Sequence, residues 1–489
     1  MKKHYSLYFL AIMLLFGACS DHDDDFDDLW NGEGGWNVVA GEKYTDYGEN
    51  NFISTASEPL STFSVDCDGA SYAIMRRNVK NQAWSILSLS VRVEEYLNYF
   101  TFNYPEPTDG HHVSTDTEVT VCPWNPEHLL LRIGLKGKTI PESELPPTNY
   151  VLLIDVSGSM SSSDKLDLLK QGFIRMVDAL RTVDKVAIVT YSGTVGVALP
   201  STSCDDKNKI KKVIAGLHAN GSTAGGQALV TAYEIAVENY IPDGNNRIIL
   251  GTDGDFNVGI SSDEELVELI ESKRDQGIYL TVLGVGSGNL NDSMMEKIAN
   301  KGNGTYEYID NVEQSDKVFI HERSKFYTIA KDCKVQLSFN PELVDKYRLI
   351  GYENRIMDNE DFEDDRKDAG EIGVGQSVTA LYELIPCQAG GLSGDYAGLD
   401  VRYKKPGNEE SLLISGGIPG NVVAIEDATE HTRFAASVAA FGMLLKKSEF
   451  AGEADPEMVL SLGRNAITYD PYGYRAEFLQ LAEKVDYLR

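Results

Sequence analysis

Cysteine is scarce in this sequence: six occur in 489 residues, widely spaced and without a CxxC pair. If Cys19 is modified as described below, five remain, an odd number that indicates neither a disulfide framework nor a zinc ribbon. The motifs GxSxG and HExxH are absent, and the eight histidines show no spacing typical of a catalytic or zinc site.

Lys and Arg are also few relative to Asp and Glu. The chain has 44 Lys and Arg against 75 Asp and Glu, a formal net charge of −31. This balance argues against a nucleic-acid partner, because Lys and Arg are needed to neutralise phosphates. The apolar fraction of 42% is typical of a folded protein, and the length predicts two to four domains.

Long apolar runs are missing beyond the N-terminus, since the longest, residues 434–445, has 12 residues and fits a core helix. At the N-terminus, Lys2 and Lys3 precede apolar residues 5–17, the pattern of an export signal. The following LFGAC resembles the lipobox of bacterial lipoproteins, which implies that Cys19 is lipidated. An ordinary cleaved signal is the alternative.

Directly after Cys19, residues 20–28 contain six Asp. Like charges at this density repel one another and stay solvated, so a plain tether is one interpretation. The run also resembles the surface-export signal of Bacteroidetes lipoproteins. We therefore predict an outer membrane lipoprotein exposed at the cell surface, with the lipid on Cys19 as its membrane contact.

Between residues 149 and about 310, strands and helices alternate, which predicts a parallel sheet with helices on both faces. Its strands are predicted at 150–156, 186–191, 247–252 and 279–285. Two helices between them carry apolar stripes with spacings of three and four, which we interpret as core: Leu166, Leu169, Phe173, Met176, Val177 and Leu180, and then Leu229, Ala232, Tyr233, Ala236, Val237 and Tyr240.

The whole chain divides into a signal peptide (1–19), an acidic and Gly-rich tether (20–48) and three domains. The fold class we predict is α/β, with a doubly wound, mostly parallel sheet over residues 146–325. An α+β flanking domain precedes it at 49–145. A strand-rich domain that ends in helices follows it at 326–489.

Oxygen-bearing side chains follow the predicted strands. Asp155, Ser157 and Ser159 end the first strand, Asp253 ends another, and Thr223 lies in a glycine-rich loop before a helix. Ligands of doubly wound folds bind beyond the carboxyl ends of the strands. Carboxylates and hydroxyls suit Mg²⁺, with Mn²⁺ or Ca²⁺ as alternatives, and leave room for waters or a partner's carboxylate. Capping of turns is the simpler alternative.

These residues resemble the metal-ion-dependent adhesion site of von Willebrand factor type A (VWA) domains. The resemblance implies that the hydroxyls of Ser157, Ser159 and Thr223 bind the metal, and that Asp155 and Asp253 bind it directly or through water. Stretches outside the domain, including CPWNPEHLLLRIGLKGK, RLIGYENR and RFAASVAAFGMLL, also resemble a bacterial family. Its members join a short flanking domain, a VWA domain and a C-terminal domain of unknown function.

The resemblance implies binding rather than catalysis. We expect a protein or glycan partner that supplies a carboxylate to the metal. An assembly or scaffolding factor that uses the same site in an envelope complex is an alternative. A metal-assisted hydrolase is less favoured, because no base with a helper residue stands out near the loops.

Overall fold

The computed structural model describes residues 36–39, 41–65, 68–84, 88–221, 226–254, 263–387 and 394–485. Two of the predicted functional residues, Cys19 and Thr223, lie outside these ranges, as do the acidic residues 20–28.

Short strands and two helices precede the central domain in the described chain. The helix α1, Ala70–Lys80, is buried over most of its length, and α2 spans Val93–Asn98. The strands are β1 Trp36–Val39, β2 Glu42–Thr45, β3 Ile53–Ser54, β4 Leu60–Ser64, β5 Val113–Val121 and β6 Leu129–Gly137.

The central domain is a six-stranded sheet in the order β12-β11-β10-β7-β8-β9, in which only the edge strand β9 is antiparallel to its neighbour. Its strands are β7 Thr148–Asp155, β8 Lys185–Tyr191, β9 Val195–Ser203, β10 Asn245–Thr252, β11 Ile278–Val285 and β12 Tyr306–Ile309. Its helices are α3 Leu166–Ala179, α4 Lys207–Ala215, α5 Gly226–Glu238, α6 Asp263–Asp275, α7 Asp292–Lys301 and α8 Val312–Asp316. The predicted doubly wound α/β domain is therefore confirmed.

Helices cover both faces of this sheet. Along β7, Val151 and Leu153 belong to one apolar cluster, with α5, and Leu152 and Ile154 to the other, with α3. A strand buried on both faces reads as one continuous apolar run, as β7 does. The predicted stripe of α5 was wrong at its end, because Val237 and Tyr240 are 44% and 42% exposed.

Strands after the central domain pair with strands before it. In one sheet β4 lies between β15 and β13, and in another β6 pairs with β17 and β3 with β14. The later strands are β13 Thr328–Phe339, β14 Val344–Ile350, β15 Ile356–Met357, β16 Gly370–Gly373, β17 Ser377–Pro386, β18 Asp395–Lys404, β19 Ser411–Pro419 and β20 Val422–Val423. Apolar side chains from both sheets form one cluster, so the flanking segments build a joint β-sandwich. The domain limits themselves stay a prediction.

A helical layer closes the C-terminal part. It consists of α9 Glu430–Lys446, α10 Pro456–Arg464 and α11 Tyr474–Ala482, which share an apolar cluster with α2 and Trp124. The predicted core helix at 434–445 is thus confirmed, because nearly all its side chains are buried. In the described ranges no helix has the length and apolar character required to cross a membrane.

A buried ion-pair group joins the flanking segment to the central domain. Arg92, at the start of α2, donates to Asp292 of α7 at 2.6 Å and also to Glu95. Arg92 is 5% exposed, and both carboxylates are fully buried. Each charge in this group depends on its partners, since an unpaired charge at such depth is costly.

We expect Arg92→Met to lower the free energy of unfolding by about 3–5 kcal/mol, because it leaves Asp292 and Glu95 buried without their cation. Urea denaturation followed by circular dichroism measures the change. The control is Arg175→Met, which removes the more exposed pair with Asp316 and should cost under about 1 kcal/mol. Equal stability losses in the two variants would contradict the structural role of Arg92.

Candidate metal centre

The site lies where two neighbouring parallel strands end. β7 and β10 pair with Ile154 opposite Gly251, so Asp155 and Asp253 emerge side by side from the sheet. The chain leaves β7 toward β8 on one side and later returns to β10 on the other. This reversal is the switch point at which doubly wound folds bind ligands.

The loop after β7 holds three of the predicted oxygen groups. The backbone N–H of Ser157 donates to Oδ1 of Asp155 at 2.8 Å, and the hydroxyls of Ser157 and Ser159 are 3.0 Å apart. Thr252 donates its hydroxyl to the other oxygen of Asp155 at 3.3 Å. The side chain of Met160 is fully buried in the core and fixes the loop against the domain.

Thr223 lies outside the described residues, but the chain that leads to it reaches the site. The N–H of Asn220 donates to the carbonyl of Val156 at 2.7 Å, and the N–H of Gly158 donates to the carbonyl of Gly221 at 3.0 Å. A Cβ on Gly158 would come within 3.1 Å of that carbonyl. The loop after β7 is therefore hydrogen-bonded to the chain at Gly221, two residues before Thr223.

Sequence reasoning missed one member of the site. The ammonium of Lys165 donates to Oδ2 of Asp253 at 2.9 Å and to Oδ1 of Asn289 at 2.8 Å. In the sequence Lys165 stands among Ser and Asp residues and looks like a solvated lysine. The burial of its side chain, which is only 9% exposed, appears only once the strands are assembled.

The two carboxylates differ in their electrostatics. Burial raises the pKa of Asp155 to about 6, and the nearby charge of Asp253 adds to this, although hydrogen bonds from Ser157 oppose it. Burial also disfavours the charge of Asp253, but the hydrogen bonds and charge of Lys165 more than offset it and lower the pKa of this carboxyl. Lys165 thus holds Asp253 as an anion, whereas the charged form of Asp155 is disfavoured by its burial.

This set of donors fits a hard divalent cation. No group of three His, Cys, Asp or Glu side chains suited to a metal is found in the described part of the chain. Asp155, Ser157, Ser159 and Asp253 would hold the ion, and carboxylates and hydroxyls suit Mg²⁺, Mn²⁺ or Ca²⁺. When bound, the ion supplies a positive charge that attracts an anionic ligand.

The four cysteines in the described ranges, Cys122, Cys204, Cys333 and Cys387, form no disulfides with one another. Burial raises the pKa of the Cys122, Cys204 and Cys333 thiols. These three cysteines act as small apolar side chains in the core and contribute nothing to the site.

Comparison with known families agrees with this architecture. Residues 149–320 match the family described as "von Willebrand factor type A domain", and residues 38–132 match one described as "von Willebrand factor". Residues 324–488 match "Uncharacterized protein YfbK, C-terminal". The molecule is therefore a VWA-domain protein with a flanking segment on each side.

A relative that shares the full architecture is "Uncharacterized protein YfbK" of Escherichia coli (strain K12). It is 38% identical over 476 residues, which cover 91% of this chain and 81% of that protein. The chain belongs to the YfbK family, and the predicted three-part organisation of that family is confirmed.

More distant relatives share a smaller part. "Uncharacterized protein sll0103" of Synechocystis is 25% identical over 39% of this chain and 44% of its own. Human inter-alpha-trypsin inhibitor heavy chain H3 is 26% identical over 32% of this chain and 18% of its own. Among solved structures, a von Willebrand factor type A protein from Catenulispora acidiphila covers 79% of this chain and 91% of its own, with 17% identity and a TM-score of 0.44.

We expect Mn²⁺ affinity to fall about tenfold between pH 7 and pH 5, because protonation of Asp155, whose pKa is about 6, removes a ligand. Asp253 stays ionised over this range, since its pKa is lowered. Titration calorimetry at both pH values measures the change, with circular dichroism to confirm folding. An affinity that is constant from pH 7 to pH 5 would contradict the role given to Asp155.

Proposed function

We propose that the protein is an envelope lipoprotein whose VWA domain binds a protein or glycan partner through a divalent cation, with Mg²⁺ as the first candidate. The ligands are Asp155, Ser157, Ser159, Thr223 and Asp253, and the partner adds a carboxylate. The observation that supports this most is the convergence of two buried carboxylates and two hydroxyls at the switch point of the sheet.

The burial of Asp155 is the main physical argument. A carboxylate with no accessible surface is costly unless a cation or hydrogen bonds compensate it. In the described residues Asp155 receives hydrogen bonds from Ser157 and Thr252, and its pKa stays raised. A divalent cation adjacent to Asp155 supplies the missing compensation for its buried charge.

The solvent-exposed side of the site gives the direction from which a partner reaches the metal. Ser157 is buried while Ser159 is exposed, so the metal position faces solvent on the Ser159 side. Two carboxylates and neutral hydroxyls leave coordination positions for water or for an oxygen of the partner. Such an ion joins protein and ligand at contact distance, where the net charge of the chain is a weaker influence because salt screens it beyond about 8 Å.

We expect Asp155→Ala to abolish Mg²⁺ and Mn²⁺ binding to the chain from Ser20 onward, because it removes a ligand held at the centre of the site. Calorimetry measures the binding. The matched control is Asp164→Ala, which removes an exposed carboxylate nine residues further along the same loop and should leave binding unchanged. Capture of a partner from envelope fractions should require both metal and Asp155. Metal binding that persists in Asp155→Ala would contradict the site.

We expect Cys19→Ser to release the protein from the membrane fraction and to prevent labelling with radioactive palmitate, because the lipid is the proposed membrane contact. Proteinase added to intact cells should degrade the wild-type protein, as surface exposure requires. A serine variant that stays in membranes would contradict lipid anchoring, and protection from proteinase until the cells are lysed would contradict surface exposure.

A further inference from the structure

The most unusual group at the candidate metal centre is the buried ammonium of Lys165. It forms an ion pair with Asp253, one of the proposed metal ligands, while its side chain is only 9% exposed. A lysine so placed already provides positive charge to a site that is expected to take up a divalent ion. Its presence needs an explanation, because burying a flexible lysine has a cost in entropy and hydration.

We propose that Lys165 is a resident cation of the metal centre that weakens metal binding in the absence of a partner, so that tight binding depends on an anionic group from the partner. This inference rests on the proposed function, since it concerns the same site. It assigns to Lys165 the role of setting which ligands are bound, rather than that of a ligand to the metal.

The position of Lys165 is built into the fold. It lies immediately before α3, its carbonyl accepts the N–H of Leu169, and its N–H donates to the carbonyl of Ser162 at 3.1 Å. Its aliphatic stem passes over Gly286, where a Cβ would lie 2.4 Å from Cγ and Cε of the lysine. Gly286 has a φ of +72°, which favours glycine, and follows directly on β11.

The end of the side chain is fixed as firmly as the stem. The ammonium donates to Asn289, in the loop that follows β11, at 2.8 Å, and to Asp253, at the end of β10, at 2.9 Å. The groove over Gly286 and these two acceptors hold the charge in one place. A swing of the lysine toward solvent would break both hydrogen bonds, so the cation belongs to the site.

The fixed charge of Lys165 changes the net charge of the site once a divalent ion is bound. Asp155 and Asp253 contribute two negative charges when ionised, and Lys165 contributes one positive charge. A divalent ion then leaves one positive charge in excess in a region where Asp155, Asp253 and Ser157 are buried. Excess buried charge is costly, and an anionic group from a partner cancels it. By linkage, the partner tightens metal binding by the same factor as metal tightens partner binding.

A simpler role for Lys165 makes the opposite prediction. If the lysine only orients Asp253, its removal frees that carboxylate and weakens metal binding. If the lysine competes in charge, its removal strengthens metal binding. The two roles are therefore distinguished by the sign of one measured change.

The test compares Mn²⁺ binding to wild type and Lys165→Met by calorimetry, on the chain from Ser20 onward at one pH and ionic strength. Methionine keeps an unbranched stem over Gly286 and removes the charge. We expect the Kd for Mn²⁺ to fall about tenfold or more, because an ammonium and a divalent ion that share one carboxylate repel each other even at an effective dielectric constant of about 20.

The control is Lys170→Met, which removes a positive charge from α3, the helix that Lys165 precedes; there Lys170 contacts Asp167 and the carbonyl of Leu217. Its Kd for Mn²⁺ should stay within about twofold of wild type, since this charge is away from the site and screened. Circular dichroism confirms that all variants are folded. A tightening that is equal in the two variants would overturn the specific role of Lys165.

A second measurement uses sodium acetate as a probe of the anionic group, at constant ionic strength. Acetate should tighten Mn²⁺ binding to wild type and should do so less in Lys165→Met. Equal or weaker Mn²⁺ binding in Lys165→Met overturns the proposal while leaving the metal site in place. Absence of binding in wild type together with binding in Lys165→Met supports it, and absence in both variants overturns the metal site as well.

Discussion

The pairing of β7 with β10 is the constraint on which the site depends. Both strands are buried on both faces and apolar in the middle, so their polar side chains lie toward the two ends. Because the strands are parallel and adjacent, their ends meet at one edge of the sheet, and Asp155 and Asp253 meet there as well. The acidity of the site is thus a result of the sheet topology, and the helix and loop contacts only refine it.

At this edge of the sheet two neighbouring carboxylates are both buried. The fold gives them different environments: Asp253 receives a lysine and an asparagine, while Asp155 receives hydrogen bonds from Ser157 and Thr252. The hydrogen bonds and charge of Lys165 lower the pKa of Asp253, whereas burial raises the pKa of Asp155 despite its hydrogen bonds from Ser157. Asymmetry of this kind lets one group be ionised permanently while the other responds to what binds beside it.

The central domain could be predicted from sequence to a large extent because its signals are local. Continuous apolar runs marked β7 and β10, and the spacing of α3 marked a single buried stripe. At the site, Asp155, Ser157, Ser159, Thr223 and Asp253 together, in their strand-end and loop positions, predicted a metal centre, and this stays a prediction. The buried position of Lys165 was not predictable, because it depends on Gly286 and Asn289, which are more than a hundred residues away.

The strand pairing of the flanking segments was also harder to predict, because it too depends on residues far apart in the sequence. The pairing of β4 with β13 and of β6 with β17 joins residues separated by more than two hundred positions, and no local pattern specifies such partners. Val237 and Tyr240, at the end of the predicted α5 stripe, are exposed and show a smaller error of the sequence prediction. Helical spacing identifies a face, but it does not tell where the neighbouring layer stops covering that face.

The joint sandwich has a consequence for how the molecule is made. Of the strands synthesised first, β5 and β6 pair with each other, but β3 and β4 find their sheet neighbours, and β6 its second neighbour, only after the whole VWA domain has been produced, since β13, β14 and β17 follow it. Until then their hydrogen-bonding edges stay open to other chains. The VWA domain meanwhile has all six of its strands and can form first. A chain that ended after residue 326 would keep the VWA domain with its candidate metal centre but would lack eight of the twelve described strands of the sandwich. Cleavage there would therefore leave the strand edges of the remaining four exposed.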